Sequence, residues 1–394
     1  MAGIWIWMLM MAMVAGNHAA VFDVKSYGAK ADGKSDDSKA ILDAWKAACN
    51  SGQASNVLIP KGTYMVGSMI MEGPCKAPIT IEANKARFVA PINPNQLRAR
   101  NGWINFVGID RFGLQGGRFD GQGELAWHQN NCVGTGKCGS MPINLSFNRI
   151  TNALIHSITS YDSKQYHIDV LSCKNVTFRS IRISAPDQSL NTDGIHIVRS
   201  SGINVTEADI KTGDDCVSVG DGSQQVNIEK VKCGPGHGIA IGSLGKYNNE
   251  EPVVGVTVKN CTITHTMSGV RVETWPASPS EGVARDLHFQ NIVMNNVSTP
   301  ISIDQEYCPY KCDKKVPSRV KISDVSFDDI RGTSASKVAV RLRCSSASPC
   351  ENVGLSNINL AYHGSDGKAT SECANVKPKV TGQLFPPACA VSSA

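Results

Sequence analysis

Eight short segments along the chain alternate apolar and polar residues with a period of two: NALIHSI, NVTFRSI, INVTEADI, VNIEKVK, VTVKNCTI, LHFQNIV, VKISDVSF and VGLSNINL. That period puts every second side chain on one face of an extended strand, so each segment predicts a strand with one apolar face. Their aligned first positions are Ala153, Val176, Ile203, Val226, Val256, Leu287, Val320 and Val353, at intervals of 23, 27, 23, 30, 31, 33 and 33 residues. A second series, GIHIV, CVSVG, GIAIG, GVRVE, PISID and VAVRL, interleaves with the first. Strands at this spacing, with Gly, Asn and Ser turns and no helical period between them, predict a solenoid. The interval is too short for a strand–helix–strand unit in every repeat and too irregular for propeller blades. A right-handed parallel β-helix is the all-β architecture that fits. Its one continuous core predicts a single domain over residues 21–394.

One stretch breaks the two-residue period. In DDSKAILDAWKAAC, Ala40, Ile41, Ala44, Trp45 and Ala48 fall on one helical face, with Ser35 or Asp36 as N-cap. A short helix there would cover the open end of the coil, as a terminal repeat must be capped. After Ala361 the repeat fades, and Cys373 and Cys389 predict a stapled closing segment.

Composition changes the picture modestly. The chain has 394 residues and a net charge of +5, with no concentrated basic patch, which excludes a nucleic-acid partner but is compatible with a polyanionic one. Residues 1–20 are apolar from Ile4 to Ala15 and then turn small and polar, which predicts a secretory signal cleaved after Gly16 or Ala20. The run is too short to span a bilayer, and no later segment is long and apolar enough, so no membrane association is expected of the mature form. Fourteen cysteines in an exported chain predict disulfides, with Cys344–Cys350, Cys308–Cys312 and Cys216–Cys233 as short-range candidates. No C-x-x-C or H-x3-H cluster accompanies them, so no metal is expected. Sequons at Asn144, Asn175, Asn204, Asn260 and Asn296 are glycosylation candidates.

The chemistry concentrates where the second series is aligned on the turn into each strand. NTDGIHI, GDDCVSV and GHGIAIG then place Asp193, Asp215 and His237 in steps of 22 residues. On successive coils they would lie one above another at the strand spacing of ~4.8 Å. Asp214, one residue earlier than Asp215, is offset. A calcium site or a solvated acidic face is the plain alternative, but calcium has no use for the histidine. Glycoside hydrolysis needs this set: one carboxyl protonates the leaving oxygen while another activates water from the opposite side. Asp193 and Asp215, in one column, would hold the water as base. Asp214 would be the general acid, its proton kept on by two anionic neighbours.

These motifs, in this order and spacing, resemble the polygalacturonases, glycoside hydrolases of family 28. VFDVKSYGAKADGKSDD resembles the mature start of the plant enzymes, and GGRFDGQGELAW, MPINLSFN and GSLGKY resemble the pollen-type exopolygalacturonases of plants. The resemblance implies a right-handed β-helix and inverting hydrolysis of α-1,4-galacturonosyl bonds in pectin, without metal or cofactor. It implies Asp214 as proton donor, Asp193 and Asp215 as holders of the nucleophilic water, and His237 as support for the acid. It also implies Asn191 in the same cleft, a Cys216–Cys233 disulfide, and Tyr307 lining the subsites near the cleaved bond.

One motif departs from the family. Where Arg-Ile-Lys is expected, the chain has Arg271, Val272 and Glu273. Strand alternation puts Arg271 and Glu273 on one face, where they could pair with each other. Either Lys246 or another cation takes over the grip on the substrate carboxylate, or this copy is a weakened, pectin-binding β-helix protein. A related activity, xylogalacturonan hydrolysis, is a further alternative. The glycine-rich GPGHGIAIGSLGKY lacks the G-x4-G-K-[ST] pattern of a phosphate loop and reads as a turn between coils. His196 faces either the groove or the surface, and Trp127 and Trp275 either stack on sugar or pack. The expectation is a secreted, monomeric hydrolase of the cell wall acting on polygalacturonate from a chain end.

Overall fold

A computed structural model describes residues 19–97, 102–130, 139–309, 312–313 and 315–389. The leader falls outside the described residues apart from its last two positions. Among the described residues the strands form a 20-stranded and an 11-stranded sheet, paired in parallel, that wind into a right-handed β-helix. The period-two segments are its rungs. Ala153 pairs with Val176, Val176 with Ile203, Ile203 with Val226, Val226 with Val256, and Val256 with Leu287. Val176, Ile203, Val226 and Leu287 are wholly buried, so the apolar face is the core face. Phenylalanines run along the inside in stacked pairs, Phe88–Phe119 at 4.8 Å, Phe106–Phe147 at 5.0 Å and Phe289–Phe327 at 4.9 Å.

The next rung differs from the expected alignment. Leu287 pairs with Val325 rather than Val320, and Val325 pairs with Val353. The strands Gly282–Val297 and Val320–Ser334 are long, and Val320, Ile322 and Val325 are all buried. An apolar pattern fits either register there, and the turn before the strand decides.

Corners are made by single residues in the left-handed region. Ser157, Ser180, Glu207, Lys230, Asn260, Asn291, Asp329 and Asn357 occupy one such corner on successive coils, with φ between 50° and 58°. Asparagine tolerates this conformation and its side chain bonds along the stack: Asn291 Nδ2 donates to Asn260 Oδ1 at 2.8 Å.

The helix spans Ser38–Cys49 and buries Ala40, Ile41, Ala44, Trp45 and Ala48, as the spacing predicts. Its cap residue is Asp37, not Ser35 or Asp36. The Asp37 carboxylate instead accepts from Lys30 N and Ala31 N, while Asp36 Oδ1 takes the Ser38 N–H at 2.9 Å. Trp45 meets Phe112 edge-on at 6.1 Å, and a Cys49–Cys75 disulfide ties the helix end to the first coils. A second short helix, Glu124–Gln129, has no apolar stripe long enough to announce it.

Two further expectations are corrected. The segment after Ala361 does not leave the coil: Thr370–Ala374 pairs with Val338–Arg343, and Lys379–Phe385 with the strand Glu351–Tyr362. The last strand is largely exposed, so it carries no apolar alternation. Asn144 is buried at 2 % exposure, its Nδ2 donating to Ser160 Oγ and Tyr161 O, so it has no room for a glycan. Asn175, Asn260 and Asn296 are exposed and Asn204 is half-buried. The four expected disulfides are present, Cys216–Cys233, Cys308–Cys312, Cys344–Cys350 and Cys373–Cys389. Cys173 and Cys261 are buried thiols serving as small core residues, each bonded to a backbone carbonyl.

Candidate active site

The outer face of the 11-stranded sheet forms the floor of the site. The strands Ile195–Val198, Asp215–Val219, Gly238–Leu244 and Ser268–Thr274 follow one another there. Isoleucine and valine point inward from each of them. The outward positions, and the turns leading into the strands, carry the polar chemistry.

Asp193 and Asp215 lie on neighbouring coils, since Ile195 pairs with Val217 and Gly194 N donates to Asp215 O at 2.8 Å. His237 does not continue their column. Asp215 pairs with Gly238, and the register slips between Asp215 and Val217, so Cys216 is an extra residue in its strand. His237 thereby falls beside Asp214: His237 N donates to Asp214 O at 2.8 Å, and His237 Nδ1 is 3.0 Å from Asp214 Oδ1. Two glycines make this approach possible. A Cβ on Gly238, at φ 99°, would sit 2.2 Å from Ser268 O, and one on Gly213 would sit 2.0 Å from Ser189 O.

The four groups have separate environments. Asp193 is buried and accepts from Ser218 Oγ at 2.8 Å; burial first, then the charges of Asp214 and Asp215, push its carboxyl well above the usual range. His196 Nδ1 lies 2.8 Å from the same Ser218 oxygen. Because that hydroxyl gives its proton to Asp193, His196 is the donor, and burial lowers its pKa to about 4, keeping it neutral. Burial also raises Asp215 to about 6, against the pull of Arg271, whose Nη2 donates to Asp215 Oδ1 at 2.7 Å.

Asp214 shifts the other way. Burial opposes its ionisation, but the hydrogen bond and charge of His237, with Arg271 beyond, hold it below the usual carboxylate value. Burial would lower His237, yet Asp214 raises it above its ordinary value. Against the expectation that anionic neighbours raise Asp214, the histidine that the register slip supplies holds its carboxyl low instead. Asn191, itself at φ 52°, donates to Asp214 Oδ2 at 3.4 Å.

Arg271 and Glu273 share a face and pair, Nη1 to Oε1 at 2.9 Å, with both side chains under 10 % exposed. Burial raises Glu273 to about 8 even with Arg271 beside it. The donor atoms of Asp214, Asp215 and His237 lie within 4.8 Å of one another, close enough for a cation, but His237 and Arg271 already serve the two carboxylates.

A cleft of about 420 Å³ opens over these groups. Its far wall is aromatic: Trp275 meets Tyr307 edge-on at 5.6 Å, and Lys246 Nζ lies 5.1 Å from the Trp275 ring. Trp275 Nε1 donates to Ser243 Oγ, which orients the ring. His196 lines the cleft with Tyr166, 4.6 Å away, settling the choice between groove and surface. Trp127 is elsewhere, bonded to Ser163 O and lining a larger groove of about 930 Å³. Chemistry rather than volume picks out the smaller cleft.

Sequence reasoning missed Ser218 and Tyr166. Ser218 was findable, since CVSVG aligned on GIHIV puts it one coil above His196. Tyr166 lies in a turn outside both series and carries no signal.

The residues 49–384 match the model of the family described as glycosyl hydrolases family 28. The chain is 54 % identical to an exopolygalacturonase of Arabidopsis thaliana over 373 residues, 94 % of this chain and 83 % of the relative. It is 51 % identical to a polygalacturonase of Gossypium hirsutum, over 93 % of this chain and 90 % of the relative. Among solved structures, the endo-xylogalacturonan hydrolase of Aspergillus tubingensis superposes with a TM-score of 0.79 at 22 % identity, covering 92 % of this chain and 99 % of that one, a likeness of fold. With catalytic carboxyl candidates gathered on a parallel β-helix and a family match over most of its length, the chain belongs to the glycosyl hydrolases of family 28.

Proposed function

We propose that the chain is a secreted polygalacturonase that cleaves α-1,4-galacturonosyl bonds of pectin from a chain end, with inversion. The observation that carries the reading is the Asp214–His237 pair at 3.0 Å beside the buried Asp193 and Asp215 on adjacent coils. The pair carries one proton, resident on His237, and a glycosidic oxygen approaching Asp214 draws it across as the C1–O bond breaks. Asp193 and Asp215 hold a water against C1 from the opposite side and take its proton, so the configuration inverts. The names of relatives about half identical over nearly the whole chain support polygalacturonate as substrate and chain-end attack. The disulfides and the apolar leader support export to the cell wall.

Glu273 favours a second reading, a pectin-binding protein with weak turnover, because an acid faces an anionic substrate. A digestion of polygalacturonate by wild type and Asp214→Asn, following reducing ends, viscosity and the anomer first released, decides between them. Reducing ends that rise while viscosity holds, with the β-anomer appearing first, are expected. Early viscosity loss would overturn chain-end attack, a retained α-anomer would overturn inversion, and equal rates in both proteins would overturn the enzymatic reading.

A further inference from the structure

The carboxyls of the cleft differ in the cations they meet. Asp214 lies 3.0 Å from His237, and Asp215 accepts one arm of Arg271, from Nη2, at 2.7 Å. Glu273 touches the other arm, Nη1 to Oε1 at 2.9 Å, and has no other ion-pair partner among the described residues. With Asp215 ionised, as a base must be, its charge offsets that of Arg271. No cation is then left for Glu273, which is buried with Asp215 and Asp304 nearby. Burial, against the pull of Arg271, pushes its carboxyl up to about 8. Oε1 accepts from the guanidinium, so the proton belongs on Oε2, an O–H donor on the wall of the cleft.

Beside this carboxyl the wall is aromatic. Tyr307 N donates to the carbonyl of Thr274, the residue after Glu273, at 3.2 Å, and the Tyr307 ring meets Trp275 edge-on at 5.6 Å. A sugar carboxylate placed here meets two engaged guanidinium arms, a carboxyl and two rings, and nothing replaces the water it gives up. Lys246 forms no ion pair among the described residues, and its ammonium lies 5.1 Å from the Trp275 ring.

We propose that the Arg271–Glu273 end of the cleft is a subsite for an uncharged, methyl-esterified galacturonosyl unit, which makes partly esterified pectin the preferred substrate. The inference rests on the hydrolytic reading and adds the substrate class to it. The ester carbonyl accepts from Glu273, the ester methyl lies against Trp275 and Tyr307, and Lys246 meets the carboxylate of an adjoining, charged unit. The exchange that first suggests a damaged grip on a carboxylate becomes the means of taking a unit that has none.

The test uses galacturonate oligomers of one length, unesterified and partly methyl-esterified, at neutral pH. Wild type should show the higher kcat/KM on the esterified oligomer, mainly through KM. Glu273→Gln, uncharged and still a donor, should keep that preference. Glu273→Lys should favour the unesterified oligomer by about tenfold relative to wild type, the effect of one hydrogen bond between charged groups. A wild type that prefers the unesterified oligomer, or treats the two alike, overturns the proposal whether or not either variant folds. So does a ratio unmoved in folded Glu273→Lys, or a Glu273→Gln that shifts as the lysine variant does. If wild type cuts neither oligomer, the hydrolytic reading fails. Calorimetric titration with the same two oligomers then decides the subsite, and equal or tighter binding of the unesterified one overturns it.

Discussion

His237 Nδ1 lies 3.0 Å from Asp214 Oδ1 because one extra residue, Cys216, slips the strand after Asp215 out of register with its neighbour. The slip divides the adjacent carboxylates between two partners. Asp214 takes the histidine, and Asp215 takes Arg271. Neutralising Asp214 as Asp214→Asn should lower kcat by about 10²- to 10⁴-fold with KM little changed, the range for loss of a general acid. His237→Gln should cost less at low pH and abolish the alkaline limb of the rate profile. That limb reports loss of the His237 proton, which Asp214 holds to higher pH than usual. Steady-state kinetics across pH checks both, and an alkaline limb unmoved in His237→Gln would remove the histidine from the proton path.

Lys246 is a cation at the cleft wall that forms no ion pair among the described residues, its ammonium over Trp275 and Tyr247. Arg271 is engaged on both arms, so among the described residues lining the cleft Lys246 is the cation left to meet a galacturonate carboxylate. Lys246→Ala should raise KM about tenfold and leave kcat nearly unchanged, hydrogen bonds to charged groups being worth ~1.5–3 kcal/mol. The difference from wild type should shrink as salt is added. Kinetics at two ionic strengths would show it.

His167 is completely buried with Nδ1 against Ser160 Oγ at 2.8 Å, and burial lowers its pKa to about 3. Below pH ~6.5 the unfolded chain binds a proton at this position that the folded chain refuses, so acidification favours unfolding by up to ~1.4 kcal/mol per pH unit until about pH 3. Asp169 and Asp215, both raised to about 6, act in the opposite sense, gaining protons in the folded state first. The His167 contribution is isolated by comparison with His167→Asn. The Tm advantage of wild type over the variant should narrow steadily from pH 7 to pH 4, and a constant gap would contradict it.

Asn144 is a sequon by pattern and a core residue by position. Peptide mapping of the protein produced in a plant secretory host should find it bare, with any glycans expected at the exposed Asn175, Asn260 and Asn296. Asn144→Ala should destabilise the fold by ~1–3 kcal/mol, because the Ser160 and Tyr161 groups lose their buried partner. Calorimetry reads the loss.

What the sequence carried and what it hid divide along one physical line. The core face was readable because valine and isoleucine alternate strictly through Val176, Ile203 and Val226, and a period of two has one meaning in a strand. The carboxylates were readable because a coil turns a fixed spacing into a spatial column. Turn lengths and bulges leave no such trace. The pairing of Leu287 with Val325 and the slip at Cys216 each shift a column without altering any apolar pattern. The second slip is what moved His237 from Asp215 to Asp214 and reversed the expected direction of the Asp214 shift. Burial of Asn144 was hidden for a related reason: a sequon reports residue types, and the side-chain partners Ser160 and Tyr161 come from the next coil.

The polar closing strand, Lys379–Phe385, has a meaning beyond finishing the coil. A parallel stack ends in a row of open backbone donors and acceptors, which invites another molecule to add its own strand and grow a fibre. At the beginning of the coil the helix Ser38–Cys49 packs over the first strands. At the last described strand the protection is chemical. Pro378 and Pro386 flank the last strand and offer no N–H, Lys379 adds charge, and the Cys373–Cys389 bridge pins the segment down. Each of these features discourages another strand from pairing along the exposed edge of Lys379–Phe385.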